Sequence, residues 1–108
     1  MIKITINEQP SGRISSFEMK GHADFAEHGK DLVCAGASAV SFGAINAVIA
    51  LTGITPDIEQ GSEGGYLKVV FPETEQDENI QLIVKAMIVS LQTIERDYGQ
   101  HIKLIFNR

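Results

Sequence analysis

Tryptophan is absent from this chain, cysteine occurs once, and proline occurs only three times in 108 residues. Each shortage excludes something. One cysteine cannot close an intramolecular disulfide, so Cys34 is expected as a free thiol in a reducing compartment, the cytoplasm. Positive charge is scarce as well. Nine lysines and arginines face 14 aspartates and glutamates, a formal net charge of −5. The basic residues are scattered from Lys3 to Arg108, which leaves no patch to gather phosphates. Two tyrosines and five phenylalanines make a poor base-stacking platform. No nucleic-acid partner is expected. The first ten residues, MIKITINEQP, alternate apolar and polar side chains and lack the apolar run of a secretion signal.

Charge is missing altogether between Leu32 and Pro56, a stretch long enough to span a bilayer. Ser38, Ser41, Asn46, Thr52 and three glycines interrupt it, and no basic residue flanks its C-terminal end. The rest of the chain reads as half-apolar elements that need a buried partner in water. A central core helix is therefore expected, with no membrane partner. At 44% hydrophobic and 21% charged residues, residues 1–108 read as one globular domain.

Ile2, Ile4 and Ile6 alternate with polar residues and predict a strand, and Glu8 to Gly12 is a turn signal. A second strand from about Arg13 to Gly21 completes a hairpin. Residues 23–33 show no period and read as a long loop, the kind that carries function. A helix is expected from about Ala35 to Thr52, with Val40, Ala44, Ala47, Val48 and Leu51 on its buried face and Gly53 as its stop. Its small residues would let it lie close to the sheet. Ile54 to Glu59 reads as an edge strand because of Pro56, and Tyr66 to Phe71 as another strand. Pro72 to Glu78 opens a second helix, with Glu73, Glu75, Asp77 and Glu78 complementing its dipole. Its apolar stripe is widened by Leu82, Ile88 and Val89, which predicts contact with a second subunit. Ile102, Leu104 and Phe106 form the last strand. The order β-β-α-β-β-α-β predicts an α+β two-layer sandwich, a mainly antiparallel sheet with two helices.

Chemistry converges on Cys34. It lies at an expected helix start, where unpaired N–H groups and the helix dipole favour a negative charge. Ala35 and Gly36 are small enough for a substrate carbonyl to approach the backbone N–H groups there, which suggests an oxyanion site. His22 ends the second strand and can reach across the loop to form a nucleophile–base pair. Asp31 can orient His22, anchor the loop or cap the helix. Ser38, one turn after Cys34, can donate to the thiolate or the substrate, or pack as a small residue. A lone cysteine among small residues is often only a packing residue, which leaves a non-catalytic adaptor as the rival reading. A zinc site from His22, His28, Cys34 and Asp24 or Asp31 lacks the usual short ligand spacing. His28 and His101 read as surface residues.

Gly21-His22-Ala23, followed by Gly29-x-Asp31-x-Val33-Cys34-Ala35-Gly36-x-Ser38, resembles the Prp (YsxB-like) ribosomal-processing cysteine proteases over essentially the whole chain. The resemblance implies a homodimeric cytoplasmic endopeptidase with no metal or organic cofactor. Its substrate would be the N-terminal extension of bacterial large-subunit ribosomal protein twenty-seven, cut after a hydrophobic, aromatic-ending motif. The implied catalytic pair is Cys34 as nucleophile and His22 as general base and acid, with Asp31 and Ser38 at supporting positions. The loop that includes Ala23, Gly29 and Val33 is expected to gate the site.

Overall fold

The computed structural model describes residues 1–27, 30–62 and 64–108. Seven elements follow one another: β1 (Ile2–Glu8), β2 (Ile14–Lys20), α1 (Leu32–Thr52), β3 (Asp57–Gln60), β4 (Tyr66–Val70), α2 (Asp77–Tyr98) and β5 (Ile102–Asn107). The strands form one sheet in the order β3-β4-β2-β1-β5. Antiparallel pairing joins β1 to β2, β2 to β4 and β3 to β4, and β5 runs parallel to β1. The expected α+β arrangement is the one observed, mixed at one edge.

Alternation builds the core. Ile4 lies opposite Met19 and Ile6 opposite Phe17, so one face of the hairpin is apolar and sits beneath the helices. Phe17, Val69, Ile80, Leu91 and Ile102 join Ile4 and Ile6 as fully buried side chains. Gln81 of α2 accepts from the Ile14 N–H at 2.7 Å and donates to its carbonyl at 2.8 Å. That fills the backbone groups left open where β1 and β2 shift register.

Three boundaries differ from expectation. α1 begins at Leu32 rather than Ala35, because Asp31 caps it; Val33, read as loop, is therefore its second residue and lies in the core. α2 begins at Asp77, so only Asp77 and Glu78 lie in its first turn. Thr74 turns the chain ahead of it, accepting from the Gln76 N–H through its hydroxyl and from the Asp77 N–H through its carbonyl. β3 is shorter than expected, and it is an edge strand as Pro56 suggested.

The buried face of α1 is Val33, Ala37, Ser41, Ile45 and Val48, whereas Leu51 is 76% exposed. A helix apolar on nearly every side gives its period little to work with. Its close approach is to α2 rather than the sheet, with Gly36 facing Ile94. By length and composition α1 could cross a membrane; in the fold it packs on α2. On α2, Ile88 is buried while Leu82 and Val89 are exposed.

Candidate active site

The start of α1 meets the end of β2 at a cleft of about 770 Å³, lined by His22, Asp31, Cys34, Ala35, Ser38 and Phe42 among others. Cys34 is the third residue of α1 and is half-buried. Its sulfur accepts a hydrogen bond from the Ala23 N–H at 3.2 Å. Ala23 is itself buried, and its carbonyl meets Nδ1 of His101 at 2.9 Å. With a carbonyl opposite, that ring nitrogen carries the proton and donates. The ring of His101 stands edge-on to Phe25, which stands edge-on to Tyr98.

Asp31 takes two of the roles the sequence left open. Its Oδ1 accepts from the N–H groups of Val33 and Cys34, each at 3.0 Å, and caps α1. Its Oδ2 accepts from the N–H groups of Phe25 and Ala26 at 2.9 and 3.3 Å, and ties down the preceding segment. Burial opposes the charge, but the N–H groups of Cys34, Phe25, Ala26 and Val33 outweigh it and hold the carboxyl below its ordinary value. The carboxylate is ionised at neutral pH.

This cap corrects the expected oxyanion site. The N–H groups of Val33 and Cys34 are occupied by the Asp31 carboxylate, and that of Ala35 by the Asp31 carbonyl at 3.0 Å. Gly36 faces α2. From outside α1, the Ala23 N–H is the backbone donor that meets the Cys34 sulfur. An anionic cap also offsets part of the positive field of the helix start.

His22 is exposed and follows Gly21, whose N–H donates to the Gly65 carbonyl at 2.8 Å. Ser38 is exposed on the cleft wall one turn beyond Cys34. Gly29, assigned to the gate, lies outside the described residues, as does His28 of the zinc alternative. Among the described residues no group of three His, Cys, Asp or Glu side chains is placed to hold a metal. His101 is the residue that sequence reasoning set aside; nothing in its local pattern signals a contact 78 residues away.

Residues 1–103 match the family model described as cysteine protease Prp. The ribosomal processing cysteine protease Prp of Bacillus subtilis (strain 168) is 52% identical over 110 residues, covering 99% of this chain and 98% of that protein. A crystal structure of the essential ribosomal processing protease Prp from S. aureus, in complex with a covalently linked product peptide, superposes with a TM-score of 0.94. It is 46% identical over 99% of this chain and 100% of that one. A second S. aureus structure, in complex with a substrate peptide, gives a TM-score of 0.88 at 43% identity, with the same coverage.

Proposed function

The chain belongs to the Prp family of cysteine proteases, and from that premise we propose that it processes a ribosomal protein by cutting its N-terminal extension. The substrate we assign is bacterial large-subunit ribosomal protein twenty-seven, cut after a hydrophobic motif ending in an aromatic residue. Membership of a protease family sets aside the adaptor reading. The observation that carries the mechanism is the Ala23 N–H donating to the Cys34 sulfur inside a cleft that His22 also lines.

In the first step Cys34 gives its proton to His22 and its thiolate attacks the scissile carbonyl carbon. The carbonyl oxygen becomes an oxyanion, for which the Ser38 hydroxyl is a side-chain donor on the cleft wall. The C–N bond breaks as the imidazolium returns its proton to the leaving amine. Water, losing a proton to His22, then attacks the thioester, and the sulfur leaves with that proton restored. No metal or organic cofactor takes part in this scheme.

Ile2, Met19, Leu67 and Phe42 give the cleft apolar walls, which suit the hydrophobic side chains of such a peptide. Gln60 also lines the cleft and ends the edge strand β3, so an extended substrate can add its backbone there. The protease acts in the cytoplasm as a homodimer, for which the exposed Leu82 and Val89 of α2 supply apolar surface. Incubation with ribosomal protein twenty-seven bearing its extension, followed by product mass measurement, tests this. A single cut after the aromatic residue is expected, and an uncut protein rejects the substrate.

A further inference from the structure

The turn between β3 and β4 contains two adjacent glycines in the left-handed region, Gly64 at φ +77° and Gly65 at φ +72°. Both are strained positions for an L side chain, but their surroundings differ. A Cβ on Gly64 would meet nothing within 4 Å, whereas a Cβ on Gly65 would lie 2.8 Å from Nε2 and 3.2 Å from Cε1 of His22. Real side chains do not pack that tightly, so the imidazole occupies space that only glycine leaves open.

The backbone around Gly65 is held on both sides. Its carbonyl accepts from the Gly21 N–H at 2.8 Å, one residue before His22. Tyr66, one residue after Gly65, donates its single hydroxyl proton to Glu18 at 2.9 Å, with Glu59 at 3.4 Å as the more distant acceptor. The Glu18 bond, with burial and the neighbouring carboxylates, pushes the Tyr66 phenol up to about 12. It therefore stays protonated and donating through the neutral range. Turn and strand end thus form one unit, with the ring resting on it.

We propose that Gly65 is a positioning residue for the reaction: its bare Cα is the seat that sets where the His22 imidazole stands relative to Cys34. This rests on the proposed role of His22 as proton partner of Cys34. The seat acts on the chemical step rather than on peptide binding.

The matched pair Gly65→Ala and Gly64→Ala separates the seat from backbone strain, because both variants carry the strain and only one fills the space beneath the ring. With Gly65→Ala, kcat is expected to fall about 100-fold with KM changed less than about threefold, the loss that a displacement of about 1 Å brings. The His22 Cε1–H cross-peak in an NMR spectrum should move. Gly64→Ala should lose less than about tenfold in kcat and keep the parent's His22 signal. Should strain unfold either protein, Gly65→Asn and Gly64→Asn replace them, since asparagine tolerates positive φ best among L residues. Equal effects of the two substitutions on kcat and on the His22 signal overturn the role of Gly65 alone, provided His22→Ala is inactive. A His22→Ala variant that cleaves at the parent's rate overturns both this proposal and the reading it rests on.

Discussion

Cys34 is fixed by backbone bonds: Asp31 holds its N–H, the Ala23 N–H reaches its sulfur, and His101 holds the Ala23 carbonyl. His22, across the same cleft, is an exposed ring standing on a glycine turn. The contrast follows from what each group must do. A nucleophile attacks one atom and gains from being held still. In the proposed reaction an imidazole serves the sulfur, the leaving nitrogen and then a water, so it must stand beside the cleft rather than in the core. Cys34 is anchored through its own backbone, whereas His22 is placed by the turn on which it packs.

The comparison is broken most severely on the His22 side. His22→Ala should lower kcat/KM about 10²–10⁴-fold, the span for removing a general acid–base group. The variant should remain folded, because the ring lies outside the buried core. Peptide cleavage assays beside urea denaturation check both halves of that statement.

Breaking the other side should cost stability and activity together. Asp31→Ala removes four acceptor bonds at once, lowers the thermal midpoint and cuts kcat roughly tenfold or more by letting Sγ drift. Asp31→Asn keeps one carbonyl oxygen for the cap and loses less. The folded-state carboxyl of Asp31 lies below its ordinary 3.8. The stability it adds is therefore complete at neutral pH and is lost as pH falls from about 4 through the folded value. Melting curves of parent and Asp31→Ala should converge on acidification.

A smaller effect comes from His101. His101→Leu removes one hydrogen bond, worth about 1 kcal/mol, and should slow cleavage about fivefold. His101→Asn, whose side-chain N–H can replace Nδ1–H, should recover part of that loss in the same assay. Smallest is Ser41→Ala. The Ser41 hydroxyl is fully buried without a hydrogen-bond partner among the described residues. Its removal should raise stability by about 1 kcal/mol in a denaturant titration.

Sequence pattern reached the sheet more fully than the site. Ile2, Ile4 and Ile6 announce β1 because a half-buried strand alternates strictly. Helix α1 hides its face because apolar residues surround it and the serine at 41 points inward. Asp31 was legible as a polar residue before a helix, yet its choice among three roles depends on where Phe25 and Ala26 come to lie. Asp31 as cap also moved the expected oxyanion donors, since a helix start offers free N–H groups only until a carboxylate takes them. His101 and Gly65 left no local trace. Their roles are created by contacts with Ala23 and His22, 78 and 43 residues away in the chain.

The central claim is that Cys34 carries the acyl group. Mixing the protein with an N-terminally extended peptide, quenching in acid within a turnover and mapping the mass gain tests it directly. The account predicts the N-terminal fragment attached as a thioester to Cys34, with neither adduct nor cleavage in Cys34→Ala. Cleavage by Cys34→Ala at the parent's rate would contradict it.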